Sequence, residues 1–479
     1  RQGDAPFRQR QAFAVGDEVE RLRADLPRLI IADLKAGDAQ GVLFDALGST
    51  DFCNALLEAI GDESQVKAAQ GQLSGSRAPA LRQMLENAAN IQPSVGKAEQ
   101  SNSSILYGDR ILLKLFRRLD VGLNPDLEIA RFLSEKQFPH VPPLAGALEF
   151  FRANGDPLSL AVGYGFVGDA KDAWVVALDS LGRYYERVGS LHAKKEKPPK
   201  VSSNLLELST QEPTPQMQEL LGTYLESARL LGERTAGLHA TLASETENKE
   251  FTPEPFTPHY VRGLFQSMRN LTTRNLRLLR KQLKTLPPEV SPMAERVLAM
   301  ENQIIETFRP LVDRRLSARR IRVHGDYHLG QVLWTGKDFV ILDFEGEPAI
   351  PLSERRIKRS PLRDVAGMIR SFHYAAYTGL YQHIERGSLP PEQVLAFEGW
   401  ANYWNSVVSG VFLGAYLKAL AKSEVLPNVE TDIDGMLPAY LMNKALYEIG
   451  YELNNRPAWV KIPLQGVLHL MGDLPKTEK

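Results

Sequence analysis

The stretch IRVHGDYHLGQVLWTGKDFVILDFEGEP, Ile321 to Pro348, decides the reading of this chain, because it sets two carboxylates and an amide at the spacing phosphoryl transfer requires. That reaction asks little covalent chemistry of a protein: a carboxylate orients the attacking hydroxyl, and oxygen ligands hold Mg²⁺ against nucleotide phosphates. Asp326 is followed five positions later by Gln331 and seventeen positions later by Asp343. Between them, Gln331 to Trp334 and Phe339 to Leu342 are apolar, β-prone runs separated by the turn formers Thr335-Gly336-Lys337-Asp338, so a hairpin is expected. It would return Asp343 beside the loop carrying Asp326 and let Gln331 and Asp343 converge on one ion. Octahedral Mg²⁺ favours such an oxygen-rich set.

The string His324, Asp326, His328 also admits a transition-metal cluster, and with it a metallohydrolase. That alternative leaves Gln331 and the Asp343-Phe344-Glu345 turn without a role. Glu345 and Glu347 stay open between a place near the metal, organisation of Arg355 or Arg356, and turn capping. Upstream, Ser104 to Tyr107 and Arg110 to Phe116 flank Gly108-Asp109, a hairpin signal. The preceding turn, Gln100 to Ser104, offers Ser101, Ser103 and Ser104 to nucleotide phosphates, although it lacks the glycines of a phosphate-binding loop. Lys114 lies in the apolar strand Ile111 to Phe116, where an unpaired charge is costly. Its expected partner is Glu128, on the helix after Asn124-Pro125-Asp126. Leu158 to Val167 begins as a buried strand and then carries two glycines, which suits a hinge whose backbone at Phe166 and Val167 meets the adenine edge. Helical periodicity follows from Met217 to about His239, from Tyr260 to Leu283 and from Met293 to Ser317.

The segments HGDYHLGQVL, DFEGEP and ERRIKRSPLRDVAGMIRSFHYAA resemble the maltokinase family, relatives of aminoglycoside and choline kinases. The likeness extends upstream through Ala98 to Leu133 and downstream through YELNNRPAWVKIPLQGVL, Tyr451 to Leu468. It implies an α+β, bilobal protein-kinase-like (aminoglycoside phosphotransferase-like) fold with an N-terminal cap subdomain. It also implies ATP-dependent, Mg²⁺-dependent phosphorylation of maltose at its anomeric hydroxyl, giving maltose 1-phosphate for α-glucan and glycogen synthesis. Under the resemblance Asp326 is catalytic, Gln331 and Asp343 hold Mg²⁺, and Lys114, steadied by Glu128, contacts ATP phosphates. His324 and Asp364 brace the catalytic loop, and Tyr451 and Arg456 face the acceptor; His328, on the same side of the loop as Asp326, is placed to touch substrate or phosphate. The hinge Gly163-Tyr164-Gly165-Phe166-Val167 departs from the family's Gln-Glu-Phe type. A kinase for another small molecule and a catalytically silent nucleotide-binding scaffold are the competing readings.

Composition agrees. With 479 residues, 43% of them hydrophobic, the chain can bury two or three substantial cores. The expected division is a cap over 1–90, a β-rich lobe and hinge over 91–168, and a mainly helical lobe over 169–479. A formal charge of −1 argues against a nucleic-acid partner, despite the basic run AKKEKPPK at Ala193 to Lys200. The single cysteine, Cys53, rules out an intramolecular disulfide or a Cys-based zinc site and fits a cytoplasmic setting. No apolar run reaches membrane-spanning length. The chain begins RQGDAPFRQR without Met, and its first segment resembles only the later part of a maltokinase cap. Fusion to, or association with, a trehalose synthase domain is therefore expected as one origin.

Overall fold

The computed structural model describes residues 11–472 apart from 38, 87–90, 97–101, 154, 388, 390–392, 422 and 427–428. The chain forms two compact units: residues 1–169 with 343–356, and residues 170–342 with 357–479.

The first unit contains a three-stranded antiparallel sheet in the order β1-β3-β2, from β1 (Gln11–Val15), β2 (Ile30–Ala36) and β3 (Ala39–Asp45). Helix α1 (Asp17–Asp25) supplies Leu22 to the small core with Ala14, Val42 and Phe44. A seven-stranded antiparallel sheet follows, built from β4 (Gln65–Ala68), β5 (Gly71–Arg77), β6 (Pro93–Val95), β7 (Asn102–Tyr107), β8 (Ile111–Phe116), β9 (Leu144–Arg152) and β10 (Leu158–Gly165). Its order is β4-β5-β9-β10-β8-β7-β6. Thus β4 and β5, from the stretch expected as cap, share a sheet with the strands expected in the β-rich lobe.

The period of two sorts this sheet into two buried faces. Ile105, Tyr107, Ile111 and Leu113 pack with Cys53 and Ile60 of α2 (Thr50–Gly61) and Leu81 of α3 (Ala80–Leu85). Gly75 permits that approach, since a Cβ there would stand 1.8 Å from the Ala59 carbonyl oxygen. Ala147, Val162 and Phe116 pack instead with Leu127 and Ala130 of α4 (Pro125–Glu135). Asn124 caps α4 by accepting the Asp126 N–H at 2.9 Å, and Pro125 fits the first turn, where no donor is needed. The short α13 (Leu352–Arg355) completes this unit.

The second unit is mainly helical. Its first part holds α5 (Ala173–Ala193), α6 (Leu205–Ser209), α7 (Pro215–Leu221), α8 (Tyr224–Leu242), α9 (Pro258–Gln282), α10 (Ser291–Ala299), α11 (Glu301–Glu306) and α12 (Arg309–Asp313). After the stretch Ile321 to Pro348 come α14 (Leu362–Glu385), α15 (Val394–Leu420), α16 (Val429–Asn455) and α17 (Lys461–Leu470). The periodic stretch from Met217 is broken between α7 and α8, because Gly222 takes a φ of +63°. The stretch expected as one helix over Met293 to Ser317 is likewise three short helices. Among the described residues no helix is long and apolar enough to cross a membrane.

Strand pairs β12 (Glu254–Pro255) with β13 (Arg319–Arg320), and β11 (Lys171–Asp172) with β14 (Val332–Trp334) and β15 (Phe339–Ile341), complete the unit. The hairpin β14–β15 pairs Val332 with Ile341, Leu333 with Val340 and Trp334 with Phe339. Its turn is tied down by Asp338, which accepts from Arg234 Nε at 2.7 Å and Nη2 at 2.9 Å. The chain passes from the second unit into the first between Leu342 and Asp343.

Candidate active site

In the second unit the loop after β13 carries His324, Gly325, Asp326 and His328. Its shape is set from below by Asp364, a buried residue of the first turn of α14. Asp364 accepts the His324 N–H at Oδ2 (2.8 Å) and the Gly325 N–H at Oδ1 (3.0 Å). His239, on α8, adds a contact from Nε2 to Asp364 Oδ2 at 3.2 Å, while its Nδ1 lies 2.9 Å from the Tyr416 hydroxyl. Burial pushes the Asp364 carboxyl up, but the hydrogen bond and charge of His239, with His324 and the Gly325 N–H, outweigh it and hold it below the ordinary range. Two glycines make the geometry possible: Gly325 has φ +88°, and a Cβ on Gly367 would lie 2.5 Å from the Tyr327 carbonyl oxygen.

His324 is buried and its Nε2 lies 2.8 Å from the Leu342 carbonyl, which joins the loop to the end of the hairpin. Gln331, in the short turn Leu329–Gln331, accepts the Leu342 N–H at its backbone oxygen (2.9 Å), directly before Asp343 in sequence. His328 accepts the Gly330 N–H at Nδ1 (3.1 Å), so a neutral ring carries its proton on Nε2, 3.9 Å from Asp326 Oδ2. Asp326 faces Lys444 of α16, with 3.3 Å between Oδ1 and Nζ. Burial raises its proton affinity, yet Lys444, His328 and His324 outweigh burial and keep the carboxyl below its usual range.

Lys444 went unread in the sequence. The signal was present: Lys444, Tyr447 and Tyr451 follow the spacing of one helix face. The Lys444 ammonium lies 4.9 Å from the Tyr447 ring centroid, and the Tyr447 and Tyr451 rings stack at 6.4 Å. Tyr451 is exposed. Arg456 is held by Glu452, at 3.0 Å from Nε and 2.7 Å from Nη2, and spans the rings of Tyr451 and Trp459. Tyr374 donates to the same Glu452 at 3.1 Å, and Glu448 takes Arg370 at 2.9 and 2.6 Å.

In the first unit Lys114 anchors a charged cluster. Its Nζ lies 3.1 Å from Asp126, 2.6 Å from Asp343 and 2.5 Å from Glu345. Burial alone would lower the Lys114 pKa; the three carboxylates outweigh it and raise it well above the ordinary value. Burial raises the Glu345 carboxyl, assisted by Asp343 and Asp126 and opposed by Lys114. Glu345 also accepts from the Asn102 side chain, and Asp126 accepts the Phe344 N–H at 3.0 Å. Asp343 has φ +62°, a left-handed conformation that aspartate tolerates better than most residues.

Three expectations are corrected here. The helix carboxylate on Lys114 is Asp126, whereas Glu128 forms a bidentate pair with Arg356 at 3.0 and 2.7 Å. Residues two apart on a helix point to nearly opposite sides, so the two acids serve different partners. Ser103 and Ser104 belong to strand β7 rather than a turn. Ser104 pairs with Lys114 across the ladder and shares its face, whereas Ser103 lies on the other face, where its hydroxyl accepts from Arg117 at 3.0 Å. Ser101 lies outside the described residues. At the hinge, the Phe166 N–H donates to the Arg110 carbonyl at 2.8 Å, which removes it as an adenine donor. The Phe166 ring is exposed, and Val167 is half-buried.

Asp126, Asp343 and Glu345 each bring a carboxylate oxygen within 4.8 Å of the others, a group able to hold a metal ion. Three acids around one ammonium leave an excess of negative charge, and hard oxygen donors suit Mg²⁺. The donor set therefore fits the ion that the sequence calls for.

A kinase-like mixed α/β fold, with a lysine-centred acidic cluster and a carboxylate-bearing loop braced from a helix, defines a phosphotransferase. Residues 91–346 match the phosphotransferase enzyme family, and the chain belongs to that family. It is 24% identical over 392 residues to a glucosamine kinase of Streptacidiphilus jiangxiensis, covering 79% of this chain and 74% of that protein. A glucosamine kinase of Mycolicibacterium smegmatis is 33% identical over 142 residues, 29% of this chain and 32% of the relative. Among solved structures, a glucosamine kinase in complex with glucosamine, ADP and inorganic phosphate superposes with a TM-score of 0.62 at 21% identity, covering 94% of this chain and 96% of the other. That likeness concerns the fold.

Proposed function

We propose that the chain transfers the γ-phosphoryl group of ATP to a sugar hydroxyl. The observation that carries this reading is Asp326, an ionised carboxylate on a loop whose backbone is pinned by Asp364. Asp326 would orient the acceptor hydroxyl and take its proton as the new oxygen–phosphorus bond forms and the bond to ADP breaks. Lys114, which Asp126 holds in place, would contact the nucleotide phosphates, with Ser104 beside it. Asp343 with Glu345 and Asp126 are the proposed Mg²⁺ donors. The bound ion would neutralise phosphate charge.

The acceptor we favour is maltose, phosphorylated at its anomeric hydroxyl. Lys444 beside Asp326 supports an uncharged sugar, since an ammonium on the acceptor would meet like charge there. Maltose 1-phosphate would feed α-glucan and glycogen synthesis, and a trehalose synthase domain that makes maltose would be a suitable partner. Glucosamine is the second reading, favoured by the names of the relatives. Release of ADP from ATP and Mg²⁺, measured across maltose, glucosamine, glucose, trehalose and an aminoglycoside with phosphorus NMR of the product, separates them. Maltose-dependent release with a new anomeric phosphate signal supports the first reading, turnover only with glucosamine supports the second, and turnover with no sugar defeats both.

A further inference from the structure

The mechanism leaves unused a cavity of about 480 Å³ within the second unit, bordered by α14, α15, α16 and α17 and by the segment leading into α6. Its size falls in the range of small-molecule sites. Neither Asp326 nor Lys444 lines it. The wall includes His373, which is 2% exposed, and neither of its ring nitrogens has a hydrogen-bond partner among the described residues. His469 also lines the cavity with its Nδ1 buried and unpartnered. Buried polar groups left this way cost about 1–3 kcal/mol each unless something satisfies them. Ser409 and Asn405, 3.3 Å apart, add a hydroxyl and an amide, and Ile369 and Leu441 add apolar surface.

Charge identifies the class of ligand. Arg370 lines the cavity but is neutralised by Glu448, and Asp434 is paired with Arg314 at 3.0 Å. Burial, the Arg370 cation and His469 all drive the His373 pKa well below its ordinary value, so the imidazole is neutral and offers one donor and one acceptor. A neutral ring brings no charge to hold an anion, and a cation would meet no unbalanced carboxylate. A hydroxyl, which both donates and accepts, satisfies such a ring at either nitrogen.

We propose that this cavity is a second small-molecule site, separate from Asp326, which takes an uncharged polyhydroxylated ligand, a sugar. The polar floor at His373, His469 and Ser409 binds hydroxyl groups, and the aliphatic wall covers the sugar's C–H face.

Histidine-labelled NMR with maltose as the probe tests this. The chain has nine histidines, and His373→Phe and His469→Asn assign the two signals. Both should shift saturably, with a dissociation constant near 1 mM, roughly the weak end of specific binding, and inorganic phosphate should move neither. Ser203→Trp, at an exposed lining position, should abolish both shifts without requiring any change in the buried floor. Absence of a saturable shift with maltose would overturn the site. Shifts that persist in Ser203→Trp and share the midpoint of the His328 signal would mean an effect relayed from Asp326, and would also overturn it. Protonation of His373 by added phosphate would overturn the uncharged class. The readout needs no turnover, so it stands or falls apart from the acceptor assignment.

Discussion

The ammonium of Lys444 lies 3.3 Å from the carboxylate of Asp326. Both side chains are about a quarter exposed, so solvent discounts the attraction. Lys444→Met should raise the Asp326 pKa, because the cation now favours the ionised form. A base must be deprotonated, so the acid limb of kcat/KM against pH should move to higher pH. An acid limb that stays in place would show that Lys444 does not set the charge state of Asp326.

Asp364 joins the loop to the helix core. Replacing it with Ala leaves the His324 and Gly325 N–H groups and the His239 ring without their acceptor, which should cost about 3–5 kcal/mol of stability. The pH dependence has a definite sign. A carboxyl held below its unfolded value stabilises the fold above that value, and the contribution is lost as pH falls through the depressed folded pKa. Urea unfolding of the wild-type chain between pH 6 and roughly 3 should therefore show a decline that is smaller in Asp364→Asn.

Asp126 and Glu128 separate two roles that the sequence could not. Asp126→Asn should weaken ADP binding by about tenfold or more, on the order of 1.4 kcal/mol, because Lys114 loses a fully buried partner. Glu128→Gln should mainly lower stability, by roughly 1–2 kcal/mol through the Arg356 pair. Calorimetric titration with ADP, beside thermal melts, distinguishes them. Equal losses of ADP affinity would contradict the assignment.

The contrast shows what was legible. The hairpin between Gln331 and Asp343 was legible from spacing, since turn chemistry and strand period are local. A lone lysine in an apolar strand advertised a need for acids. Which acids answered depended on helix phase: Asp126 and Glu128 both stand in the first turn of α4, and only the docking of α4 on the sheet selects Asp126. The helix face of Lys444 was legible locally, but its pairing with Asp326 was not, because the two lie 118 residues apart and no local rule links them. Ser103 failed by one residue of strand alternation, which reverses the face.

The acidic trio makes a prediction about metal. Burial raises the Glu345 carboxyl, so with no cation bound it takes up its proton at a higher pH than an ordinary glutamate. Divalent metal favours the ionised form, and binding should release protons at pH values near and below that raised pKa. Isothermal titration with Mn²⁺ in buffers of differing ionisation enthalpy should detect the release, and Glu345→Gln should abolish it while weakening affinity by roughly tenfold. Proton release that is unchanged in the variant would assign the titrating group elsewhere.

Tyr451 is exposed and stacked on Tyr447, and under the proposed function its ring would meet the acceptor. An aromatic ring covered by sugar C–H groups contributes about 25 cal/mol per Å² of apolar surface buried. Tyr451→Ala should therefore raise the acceptor KM several-fold, with kcat little changed, because the ring meets the ground state and the transition state alike. Tyr451→Phe should retain the wild-type KM, since its ring rather than its hydroxyl makes the contact. Arg456 rests over the same ring while Glu452 holds its guanidinium, so Arg456→Ala should raise KM less than loss of the ring itself. Steady-state kinetics on the three variants decide the matter: a fall in kcat at constant KM in Tyr451→Ala would place this residue in the chemical step instead of acceptor binding.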